Sequence, residues 1–161
     1  MNFHSPAARL ALTIVAMLGL AAPAPAADAV PFQGSYEGTV AREGAPPIVS
    51  VLVSAEGTAT QLGQFTVSIP HTVNVVTRTA TGTYLFTAAN GDTLTATFTG
   101  ESAPTAEDPT VLAITETATI VGGTGRFAGA TGGFVSERLY DTIAGTTAGS
   151  FDGTITLAHG H

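Results

Sequence analysis

The sequence is predicted to fold as an all-β protein, a closed eight-stranded antiparallel β-barrel. Three observations lead there. No window of the chain beyond residue 26 keeps a helical 3.6 period, and Thr and Gly dominate its composition. Short alternating runs of apolar and polar residues recur instead, separated by Gly, Pro and Asn-Gly punctuation. Eight such runs with one apolar face would leave two exposed sheet edges, and closing the sheet removes them. A barrel of that size has a lumen that side chains can fill or that can hold one small ligand.

The N-terminal segment stands apart from this pattern. Arg9 precedes the uncharged apolar run Leu10 to Leu20, and Ala24-Pro25-Ala26 supplies small residues at cleavage spacing. The run falls short of the roughly 20 apolar residues a spanning helix needs. Residues 1–26 are therefore expected to be a signal peptide, and residues 27–161 a single β-barrel domain exported to the periplasm or the extracellular space. The chain has no Cys, so strand pairing and packing must stabilise it without disulfides.

Strands are expected at Phe32–Ala41, Pro47–Glu56, Gly63–Val76, Ala80–Ala88, Thr93–Gly100, Val111–Val121, Gly133–Asp141 and Thr147–Leu157. Gly34, Gly38 and Gly153 suit strongly coiled strands. Pro70 cannot donate to a ladder, so the third strand should be bent or lie at an edge. The acidic segment Glu101–Thr110 has two prolines and should be an exposed loop. Around Asn90-Gly91-Asp92, a loop with an odd residue count sets Phe86 opposite Ala96 and Tyr84 opposite Phe98. One face then becomes aromatic and the other a threonine ladder. A one-residue slip would exchange the faces.

The next hairpin brackets the Gly-rich segment 122–132. Its glycines supply positive φ, and Phe127 is expected to tuck back as a plug at the barrel's end. Symmetric pairing about Phe127 sets Glu116 opposite Arg138 and Ile114 opposite Tyr140. A carboxylate and a guanidinium then share an otherwise apolar stripe. Buried charges are costly unless paired, so each implies the other nearby. The pair reads either as a structural ion pair or as a polar anchor in an apolar ligand cavity, with Tyr84, Tyr140 and Phe98 as further candidate ligand contacts. A third use is acid–base chemistry on a carbonyl or epoxide-like substrate.

Other chemistries find little support. Beyond residue 26, four basic side chains oppose twelve acidic ones, a net charge of −8, and there is no Lys. No basic footprint exists for nucleic acid or for an anionic membrane surface. Gly123-x-Gly125-x-x-Ala128 matches a dinucleotide fingerprint formally, but a strand follows with no room for the required helix. His71 has no partner at metal-ligand spacing, and His159 and His161 form a His-Gly-His tail, so neither a metal nor a cofactor is expected. The rows Thr93, Thr95, Thr97, Thr99 and Thr115, Thr117, Thr119 suit a wet strand face. Twisted strands are a poor template for flat surface recognition. Membrane insertion is not expected, since the chain has no Trp and only three Tyr for aromatic girdles.

The segment Thr119-Ile-Val-Gly-Gly-Thr-Gly-Arg-Phe-Ala-Gly-Ala-Thr-Gly132 resembles the Gly-Gly-Thr-Gly-(Arg/Lys)-Phe-x-Gly-Ala stretch of dirigent and allene oxide cyclase-like proteins. Thr83 to Gly100 is similar to the strand–turn–strand of secreted bacterial members of that superfamily. The resemblance implies an eight-stranded barrel, often trimeric, with an apolar cavity. Characterised plant relatives steer or perform the cyclisation and coupling of hydrophobic intermediates. The matching motif is a structural turn, so no catalytic residue carries over with it. The expectation is an exported barrel binding a small hydrophobic ligand in its lumen; a cyclase or isomerase and a non-enzymatic structural protein are the alternatives.

Overall fold

A computed structural model of the protein describes residues 27–158, so the expected signal segment 1–26 and the His-Gly-His tail lie outside the described residues. The eight strands are β1 (Ala29–Ala45), β2 (Ile48–Ala59), β3 (Gly63–Asn74), β4 (Thr79–Ala88), β5 (Thr93–Pro104), β6 (Val111–Gly123), β7 (Thr131–Asp141) and β8 (Thr146–Thr156). Each pairs antiparallel with the next, and β8 returns to β1, which closes the barrel. The predicted fold class is therefore what forms. A 3₁₀ turn at Gly125–Phe127 is the one helical element among the described residues.

Along each strand, inward residues alternate with outward ones as the pleat requires. On β5, Leu94, Ala96, Phe98 and Gly100 are buried while Thr97 and Thr99 are exposed. Every Phe and Tyr of the described residues is buried. Burying an aromatic side chain removes 150–250 Å² from water, so these rings dominate the folding energy. They concentrate at one end of the lumen. There Phe32, Phe65, Phe86, Phe134 and Phe151 pack edge-on or tilted, with ring centroids roughly 5–6 Å apart. Phe127 is fully buried in the same cluster, as the plug reading required.

The plug is held by the neighbouring turn. Asp92 accepts the Arg126 backbone N–H at 3.2 Å, and Thr124 accepts the Thr93 N–H at 3.0 Å. Gly125 has φ +56°, and a Cβ there would fall 1.9 Å from the Asp92 carboxylate, so a side chain would push that carboxylate out of the turn.

Three expectations need correction. Pro70 does not lie at an edge, because the closed barrel has none. β3 pairs with both neighbours, and the ladder to β4 is interrupted at Ile69 and Pro70, where proline lacks an N–H. Both hairpin registers slip by two residues. The β4–β5 loop is centred on Asn90, with Gly91 (φ +90°) taking its last, left-handed position. Phe86 then faces Leu94, and Tyr84 faces Ala96. In the β6–β7 hairpin, Gly132 stays in the ladder opposite Ile120, and the register is symmetric about Arg126. Glu116 faces Ser136, and Ile114 faces Arg138. A slip of two keeps every side chain on its predicted face. Finally, β5 continues to Pro104, so the exposed loop is shorter than the segment Glu101–Thr110.

Candidate functional site

The middle of the lumen carries a layer of polar side chains that joins five strands. Glu116 on β6 is fully buried, and Arg138 on β7 is 5% exposed. The slipped register makes them diagonal neighbours, a separation that long side chains bridge. Arg138 Nη2 donates to Glu116 Oε1 at 2.8 Å, and Nε donates to Oε2 at 3.3 Å. This two-point contact is the only ion pair within 4 Å among the described residues. Tyr84 Oη, from β4, donates to Glu116 Oε2 as well. Tyr36 Oη, from β1, lies 2.8 Å from Ser136 Oγ and 3.5 Å from Tyr84 Oη. On the far side Arg138 Nη1 reaches Thr147 Oγ1 of β8 at 3.5 Å, and that hydroxyl donates to Leu139 O. No buried side-chain nitrogen or oxygen among the described residues lacks a partner. A buried polar network is tolerable only in that state, since an unpaired member costs its full desolvation.

Electrostatics follow the same geometry. Burial pushes the Tyr84 phenol well above its ordinary value, and the nearby Tyr36 and Glu116 add to this. Tyr84 therefore stays protonated and donates. Burial also raises Tyr36. For Arg138 burial opposes the charge, but Glu116 outweighs it and holds the guanidinium charged.

Glycines make room for these groups. Gly100 faces Glu116, Gly149 faces Arg138 and Gly82 faces His71 on adjacent strands. A Cβ at those glycines would come within 2.8, 2.4 and 2.3 Å of the respective side chains.

Above this layer, at the end away from the plug, the lumen is open. A cavity of about 250 Å³ is lined by Val40, Val49, Val51, Val73, Leu112 and Ile114, among others. Glu116, Arg138, His71 and Tyr140 line it too, and Arg42 and Arg78 stand at its rim. Of the predicted ligand contacts, Glu116, Arg138 and Tyr140 thus line the cavity. Tyr84 and Phe98 do not; they pack beneath it, with ring centroids 5.1 Å apart. Two wider hollows, of about 910 and 960 Å³, lie on the outer face, lined mainly by β8, β1, β2 and β3. They are shallow and share the two carboxylates Glu37 and Glu56, so the enclosed lumen is the better-formed site.

His71 is the residue that sequence reasoning missed. It is 8% exposed, its ring sits 5.7 Å from Phe98, and Nδ1 lies 2.8 Å from Ile69 O. A carbonyl only accepts, so Nδ1 carries the proton and Nε2 the lone pair. Burial lowers its pKa, which keeps the ring neutral near pH 7. The available signal was its phase: His71 shares the inward row of β3 with Val67 and Ile69.

No family model matches the sequence, and no curated protein is similar to it at a significant level. Among solved structures it is similar to a pterocarpan synthase dirigent protein, with a TM-score of 0.57 and 14% identity over 90% of this chain and 100% of that one. At that identity the likeness concerns the fold, and the fold is that of a dirigent-like barrel.

Proposed function

We propose that the protein is an exported barrel that takes a small, largely apolar molecule into the open end of its lumen. One observation carries this reading: a single barrel is packed solid at one end and hollow at the other, and the hollow stands on a fully paired polar floor. A purely structural barrel gains stability by filling both ends. Apolar walls with a few convergent polar groups are the usual make-up of a small-molecule site. At about 250 Å³, below the roughly 300–1,000 Å³ common for such sites, this one suits a small guest. The outward rows of threonine, with every described aromatic ring turned inward, support an exterior that faces water.

Proton transfer by Glu116 receives little support. Both its oxygens accept from Arg138, one also accepts from Tyr84, and the carboxylate is fully buried, so it is poorly placed to take a proton from a substrate. If a cyclase or isomerase operates here, His71 is the better base, since Nε2 keeps its lone pair.

Native mass spectrometry of the protein purified from its own host tests the binding reading. The expected result is a co-purifying small molecule that is absent from a cavity-filling Val51→Phe variant. A clean apo mass in both proteins would move the reading to a structural protein, and the same spectra give the oligomeric state. Offering the released molecule back to the protein tests chemistry. Conversion that disappears in His71→Gln while binding persists would make the protein an enzyme.

A further inference from the structure

The basic residues of this acidic chain are not scattered. Beyond residue 26 it has four arginines against twelve acidic side chains, and three of the four, Arg42, Arg78 and Arg138, line the lumenal cavity. The fourth, Arg126, caps the plugged end, where its guanidinium lies 5.2 Å from the Phe127 ring and reaches Gln61. Of the cavity's arginines, Arg138 is neutralised by Glu116. Arg42 and Arg78 make no ion pair within 4 Å among the described residues. Arg42 follows Tyr36 and Val40 on the inward row of β1. Glu101 also borders the cavity, but it follows Thr97 and Thr99 on the outward row of β5. The cavity lining therefore offers two unpaired guanidinium groups at its mouth, on a protein whose net charge is negative.

We infer that the guest is a small amphiphilic anion: an apolar body in the valine-lined cavity, with a carboxylate or similar oxyanion held at the rim by Arg42 and Arg78. This rests on the lumenal-binding reading and names its ligand class. A guanidinium fork matches a carboxylate in two-point geometry, which a neutral guest could not exploit. The cavity size limits the body to about a single ring or a short acyl chain.

Calorimetric titration with three matched probes, octanoate, 1-octanol and octylammonium, tests the inference on the folded full-length protein and on Arg42→Gln/Arg78→Gln. Both arginines are exposed, so the variant is expected to fold; circular dichroism checks this. Octanoate should bind about tenfold or more tightly than 1-octanol, since hydrogen bonds between charged groups are stronger than those to a neutral hydroxyl. Octylammonium should bind worst. The double variant should lose the octanoate advantage and leave 1-octanol unchanged. Equal affinities for octanoate and 1-octanol, both abolished by Val51→Phe, would overturn the anion assignment and keep the lumenal site. No binding of any probe would overturn both.

Discussion

The two ends of the barrel use the same strands and the same alternation, yet one is solid and the other hollow. At the closed end the inward positions hold phenylalanine, with Leu94, Ile120 and Ile155 between the rings. At the open end they hold Val40, Val49, Val51 and Val73, with arginine at the rim. Strand number sets one radius for both ends. The hollow is therefore a matter of side-chain volume, and it begins where the phenylalanine residues stop. Between the ends lies the polar layer, which separates a core from a site.

The sharpest way to break this contrast is to truncate a side chain at each end. Phe86 is fully buried and touches Phe32, Phe65, Phe134 and Phe151. Phe86→Ala should cost about 3–5 kcal/mol, whereas Val73→Ala at the half-buried open end should cost about 1 kcal/mol or less. Denaturant unfolding gives both values, and similar losses would mean that the open end is packed as tightly as the closed one.

The polar layer comes next. Glu116→Gln leaves a buried guanidinium without its counter-charge and should cost about 3 kcal/mol or more. Replacing Glu116 and Arg138 together with methionine should cost less than Glu116→Gln alone, because no charge is then stranded. A double variant less stable than the single one would mean that the layer contributes more than mutual neutralisation.

The smallest expected effect is a pH dependence confined to the open half. Burial lowers the His71 pKa, so below about pH 6.5 the unfolded chain binds the proton more readily than the folded one. The stability contributed by the neutral ring is complete above that pH. It is lost as pH falls from there toward the lowered folded value. The difference in denaturation midpoint between the protein and His71→Gln should therefore shrink on acidification. A constant difference from pH 7.5 to 5 would show that burial does not disfavour the charged ring.

Much of this was legible in the sequence because strand periodicity is local. The eight runs, their faces and the burial of Phe127 followed from alternation and turn residues. The partnership of Glu116 with Arg138 followed from the cost of burying either alone. The registers did not follow. A slip of two residues preserves every face, so hydrophobic pattern cannot detect it. The choice lies in which residues take the left-handed turn positions, as Gly91 does, and in glycines such as Gly132 that remain in the ladder. His71 is not legible as a site residue from its neighbours in sequence. Its relevant neighbours, Gly82, Phe98 and Arg138, come from three other strands.

By itself, then, the sequence determined the strand count and the inward and outward rows, which depend on residues a few positions apart, and the need for a buried ion pair, which follows from the cost of burying either charge alone. Only the tertiary structure decided which end is hollow, that Glu116 is tied to both Arg138 and Tyr84, and that Arg42, Arg78 and His71 border one cavity. Those facts depend on closure, which joins β8 to β1 and brings into one lumen side chains far apart along the chain. No local pattern carries that information.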